Sequence, residues 1–63
     1  MNSSFLIGER VSWSVGSNLS IKLRGLYLEE VSNQESKVLC CEQNGQRRHV
    51  ELTVQTNLLK KDS

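Results

Sequence analysis

The run KVLCCEQNGQRRHVEL, residues 37–52, sets Asn44-Gly45 between two stretches rich in strand formers. Asn-Gly is the dipeptide that a two-residue type I′ hairpin turn prefers, because both positions need positive φ. A turn of that length fixes a register, and a slip of one residue would reverse every side chain. Gln43 then faces Gln46, Glu42 faces Arg47, Cys41 faces Arg48, Cys40 faces His49, Leu39 faces Val50 and Val38 faces Glu51. This register gathers Leu39, Cys41, Val50 and Leu52 on one face. It leaves Glu42, Arg47, His49 and Glu51 on the other, together with Val38 and Cys40. Glu42 opposite Arg47 is also a favourable cross-strand charge pair.

The rest of the chain reads as strand too. No window of a dozen residues keeps the apolar spacing of a helix. RVSWSV alternates, with Val11, Trp13 and Val15 on one face and Arg10, Ser12 and Ser14 on the other. GSN at 16–18 is a turn cluster. In LSIKLRGLYLEEV, Leu19, Ile21 and Leu23 alternate with Ser20, Lys22 and Arg24. After Gly25 the parity changes, with Leu26 and Leu28 falling on the other face. Such a phase slip at a glycine predicts a bulge or a sharp bend. SNQES at 32–36 is a further turn, and LTVQTNLLK supplies a last strand or short 3₁₀ turn, with Val54 and Leu58 or Leu59 turned inward. Five short strands, one of them long and bent, predict an all-β fold: a five-stranded, strongly bent SH3-like barrel. Closure would remove the exposed edges that a small sheet otherwise carries.

Sixty-three residues make one domain at most, and a domain of this size is marginal without help. The expected domain spans 5–60, between polar tails at 1–4 and 61–63. Cys40 and Cys41 are adjacent, so on a strand they point to opposite faces and neither bridge nor chelate together. With one histidine, His49, the chain supplies no zinc quartet, so no metal and no cofactor is expected. Reduced thiols suit an intracellular setting, nucleus or cytoplasm. No apolar run approaches a membrane span. Eight Lys/Arg against seven Asp/Glu give a formal net charge of +1, far below the footprint of a strong nucleic-acid binder.

The chain resembles two related families of small barrels. FLIGERVS, the glycine inside the bent second strand and the apolar strand KVLCC after a polar loop are similar to the Sm-like (LSm) family. The same opening, with its Gly-x-x-Val entry, and CEQNGQRRHV resemble the Tudor family, whose corresponding pattern is Phe-x-Asp-Tyr-Gly-Asn-x-Glu-x-Val. Cys41 stands at the Phe place, Asn44 at the Tyr place, Gly45 at the Gly place and Val50 at the Val place. Either resemblance covers residues 5 to 60 or so. With Cys41 and Asn44 at two places where methyl-cation readers carry aromatics, the resemblance implies an adaptor rather than an aromatic cage. The expectation is a non-catalytic, Tudor-like protein-interaction module that recruits a protein or peptide in a chromatin or ribonucleoprotein assembly. The alternative is an Sm-like domain that binds single-stranded RNA or assembles into a ring.

The candidate partner-binding residues are Trp13, Tyr27, Arg47, Arg48 and His49. Trp13 lies on the apolar face of the first strand, where core packing competes with an interface role. Tyr27 sits at the phase slip, either closing the barrel end or stacking on a ligand. Arg47, Arg48 and His49 form the densest basic cluster, which suits an acidic peptide or phosphates. The register turns Arg48 inward at the rim, its charge reaching water. For RNA, Lys22, Arg24, Arg47 and Arg48 would meet phosphates while Tyr27 stacks on a base. Cys40 opposite His49 is the one nucleophile–base arrangement. With no oxyanion hole or orienting group beside it, no catalytic residue is assigned. Val38 and Cys40 on the outer face predict a partner surface, for self-association or a heterotypic partner.

Overall fold

A computed structural model describes residues 5–62. Five antiparallel strands form one sheet: β1 (Arg10–Val15), β2 (Ile21–Glu30), β3 (Glu35–Gln43), β4 (Gln46–Gln55) and β5 (Lys60–Lys61). Their order is β4-β3-β2-β1-β5. The first four strands form a meander, and β5 returns across the sheet to pair with β1. One-turn 3₁₀ segments, Ser17–Leu19 and Thr56–Leu58, link β1 to β2 and β4 to β5. Among the described residues no ladder joins β4 to β5, so the sheet is open rather than closed on itself. The expected tail at 1–4 lies outside the described residues. Within the expected tail at 61–63, Lys61 pairs with Val11 and Asp62 donates its N–H to Arg10 O at 3.0 Å.

The alternation in β1 is the predicted one. Val11 and Trp13 are buried, and Ser12 and Ser14 lie on the opposite face. With Leu23, Tyr27, Val38, Cys40 and Leu59 they make the core, and Val50, Leu52 and Val54 pack against it from β4. Truncating a residue such as Trp13 typically costs about 3–5 kcal/mol, a large share of what a domain this small holds. Leu59 is the inward member of the Leu58-Leu59 pair.

The Asn44-Gly45 turn is present, with φ of 49° and 85°. Gln43 faces Gln46 and Glu42 faces Arg47, as the turn dictates. The ladder then shifts by one. Cys40 faces Val50, Leu39 faces Glu51 and Val38 faces Leu52, so Arg48 and His49 together oppose Cys41. This bulge overturns the expected faces of β3. Val38 and Cys40 are buried, whereas Leu39 and Cys41 are only half-buried on the outer side. Arg48 is exposed rather than inward, and the Cys40–His49 juxtaposition does not form. The pattern concealed the bulge because β3 is apolar at both parities from Val38 to Cys41.

The parity change expected at Gly25 is also corrected. Leu23, Gly25 and Tyr27 stay on one buried face, and Leu26 and Leu28 are half-buried on the other. The irregularity does fall at this point, but in the partner strand. The register with β3 shifts between Arg24 and Gly25, and Cys41 is the additional residue. A second shift between Tyr27 and Glu29 leaves Leu28 as the additional residue on β2. Glycine is required at position 25 because a Cβ there would overlap the carbonyl oxygen of Leu39. Leu19, expected inside the second strand, instead ends the 3₁₀ turn with a φ of 53° and lies 59% exposed.

Candidate functional site

Residues directly opposite in neighbouring strands share a face of the sheet. The registers therefore align one row across all five strands: Lys60, Ser12, Arg24, Glu42 and Arg47. The row lies on the outer face, opposite the core. Arg24 stands at its centre, and its Nε donates to Asp62 Oδ2 at 2.8 Å. A longer contact, 3.7 Å, links Arg24 Nη1 to Glu42 Oε1. The hydrogen bond from Arg24 to Asp62, reinforced by the charges of Asp62 and Glu42, raises the guanidinium pKa above its usual value. Glu42 thus pairs with Arg24, and its expected ion pair with Arg47 does not form among the described residues.

On one side of this row lies an open groove of about 650 Å³. Arg10, Arg24, Arg47, Arg48 and His49 line it, with Leu26, Gly25 and Cys41 among its less polar residues. Two carboxylates, Glu42 and Asp62, also reach it, and both are engaged by Arg24. Among the described residues Arg10, Arg47, Arg48 and His49 have no carboxylate partner. Arg48 donates from Nη1 to the Gln43 side-chain oxygen at 2.9 Å, a neutral acceptor that leaves its charge uncompensated. Glu51 lies 3.9 Å from Lys37.

The bulge concentrates this charge. Because Arg48 and His49 oppose a single residue, Cys41, two consecutive side chains enter the groove beside Arg47. Arg10 comes from the far side of the sheet, where it faces Leu26 across the β1–β2 ladder. Arg10 is not among the candidate residues named from the sequence. Its signal was its parity, since it shares the outward face of β1 with Ser12 and Ser14.

The two aromatic candidates are not in the groove. Trp13 and Tyr27 are each only 3% exposed and belong to the core. Tyr27 is fixed three ways. Its ring stacks on Phe5 at 5.4 Å between centroids, its hydroxyl shares a 3.1 Å hydrogen bond with Ser36 Oγ, and its backbone bonds Gly8 and Glu9. Ser36 in turn is hydrogen-bonded to Thr56, so the buried hydroxyls are all satisfied. Both rings lie outside the arginine groove, and one face of Tyr27 is covered by Phe5 rather than open to a base. Lys22 lies on the outer face near Arg24, so the four cations of the RNA reading do share one face.

Cys40 is 1% exposed, and its Sγ approaches Glu42 O at 3.6 Å. Cys41 is half-buried, with Sγ 3.7 Å from Leu39 O. Among the described residues no cluster of three metal-binding side chains occurs, and no helix is long and apolar enough to cross a membrane. No family model matches the chain, and neither the curated proteins nor the solved structures yield a match.

Proposed function

We propose that this chain is a non-catalytic interaction module of the SH3-like small-barrel type, which recruits a protein partner through an acidic segment laid in the arginine-lined groove. The observation that carries this reading is the set Arg10, Arg47, Arg48 and His49, drawn from two strands to one groove without a carboxylate partner among the described residues. Guanidinium groups are weakly hydrated, planar donors that bind carboxylates in pairs, so a groove of this kind selects extended acidic chains. The small-barrel assignment is supported by the return of β5 to β1 through a 3₁₀ turn, and by the bulges and close strand approach around Gly25. The Tudor and Sm-like resemblance makes a chromatin or ribonucleoprotein assembly the setting of that recruitment.

A protein partner is favoured over single-stranded RNA for a specific reason. Sequence-tolerant RNA binding relies on aromatic platforms, and here Trp13 and Tyr27 are both in the core. The test is calorimetry with two probes, a ten-residue Glu/Asp/Ser peptide and a ten-nucleotide uridine RNA. The reading predicts binding of the peptide, and a loss of about tenfold or more when Arg47 and Arg48 are both replaced by Ala. Binding of the RNA alone would replace it with the Sm-like reading.

A further inference from the structure

A second groove, about 540 Å³, lies on the other side of the Lys60–Arg47 row and shares Arg24 and Asp62 with the first. Its character is different. Trp13 and Leu23 of the core form part of its lining, and Leu19 and Leu58 stand beside it. Both leucines are exposed, 59% and 37%. Lys22 and Lys60 complete the rim, and neither has a carboxylate partner among the described residues.

Leu19 is the telling residue. A leucine at φ 53° is in the left-handed region, which costs about 1–2 kcal/mol relative to glycine or asparagine. Strain of this kind persists only where the surrounding structure over-determines it, and it clusters at ligand-binding and switch regions. Burial of the side chain would offset the cost, but Leu19 is in water. Folding alone favours Asn or Gly at this position. A side chain that is both strained and exposed, in a groove lined also by Leu58, Trp13 and Leu23, gains free energy when something apolar covers it.

We infer that this second groove holds the apolar anchor of the same partner, whose acidic segment continues past Arg24 into one or two apolar residues seated between Leu19 and Leu58. Charge complementarity selects this occupant: both grooves are rimmed by cations without partners, so the anchor arrives within an acidic sequence. Arg24, already neutralised by Asp62 and Glu42, separates an electrostatic half from an apolar half. The ligand class is an extended acidic peptide carrying a Leu or Phe near one end. The inference rests on the arginine groove being a peptide site, and the two can fail separately.

The experiment uses the full chain with three variants: Leu19→Asn, Leu58→Ser and the Arg47→Ala/Arg48→Ala pair. The probes are the ten-residue Glu/Asp/Ser peptide and the same peptide extended by Leu-Ser-Phe at either end. Affinity is read by calorimetry, and contact by NMR shifts of the Trp13 indole and the Leu19 and Leu58 methyls. In the expected result one extension tightens binding about tenfold, the gain for one buried apolar side chain. Leu19→Asn and Leu58→Ser each abolish most of that gain and leave the unextended peptide's affinity unchanged. Leu19→Asn also keeps or raises thermal stability, because Asn tolerates the left-handed conformation. That outcome separates lost contact from lost fold. If neither extension tightens binding nor shifts the leucine methyls, the anchor inference is overturned while the arginine groove stands. If an extended peptide shifts the methyls but ignores the arginine substitutions, the acidic-segment reading fails and the anchor site stands.

Discussion

Asn44 and Lys22 are joined twice. The Lys22 N–H donates to Asn44 Oδ1 at 2.8 Å, and the Asn44 N–H donates to Lys22 O at 2.8 Å. The residue that makes the hairpin turn thus also pins the turn to β2. Both grooves depend on this, because the β3–β4 tip carries Arg47 and Arg48 while Lys22 rims the second groove. Asn44→Gly keeps the positive φ and loses the side-chain bond, a cost of about 1 kcal/mol. Asn44→Ala adds the conformational penalty, about 1–2 kcal/mol more. Urea denaturation of the two variants is expected to rank them Gly above Ala, both below the parent.

Gly25 tolerates no side chain. The clash in Gly25→Ala is with the backbone of Leu39, which lies in the ladder and cannot swing away. A loss of about 3 kcal/mol or more is expected from a forced backbone shift of this kind. In a domain this small that leaves little folded protein. Collapse of the amide dispersion in a proton–nitrogen NMR spectrum is the predicted readout.

The hydroxyl chain from Tyr27 through Ser36 to Thr56 ties β2 and β3 to the 3₁₀ turn before β5. Ser36→Ala leaves the buried Tyr27 hydroxyl without this partner, at about 1–3 kcal/mol. Tyr27→Phe in the same background removes the orphaned group. The double variant is predicted to be less destabilised than the two single losses added together, measured by denaturant unfolding of all four proteins.

Thiol labelling tests the bulge. Cys40, expected on the outer face from the turn register alone, is buried, whereas Cys41 is half-buried beside the groove. A neutral aromatic disulfide reagent is expected to modify Cys41 in the folded protein and Cys40 only on unfolding. Cys41→Ser then abolishes the fast phase, and Cys40→Ser leaves it intact. The reverse pattern would restore the unbulged register.

Much of the fold was legible because alternation and turn chemistry agreed. Val11 and Trp13 in β1 and the Asn44-Gly45 hairpin were read from the chain alone. Where the reading failed, the local pattern was degenerate. Val38-Leu39-Cys40-Cys41 is apolar at every position, so parity could not reveal a shift that depends on where β2 and β4 bend. Leu19 looked like a strand residue because its parity matched Ile21 and Leu23; only the backbone turn after Gly16 places it outside. The basic cluster at Arg47 to His49 was visible, but its completion by Arg10 was not, since that depends on a pairing between β1 and β2 that no local motif encodes.

Arg24 is a fixed charge between the two grooves. Its raised pKa means that its contribution to stability is complete below the usual guanidinium range and is lost only above it. Throughout neutral conditions Arg24 stays charged and paired. If Arg10, Arg47, Arg48 and His49 form one acidic-peptide site, residue-resolved NMR during titration with the Glu/Asp/Ser peptide shows it. The predicted result is saturable shifts at all four residues from both strands, shrinking as salt rises. Shifts confined to the β3–β4 tip, or none at Arg10, would show that the groove is not a single acidic-peptide site.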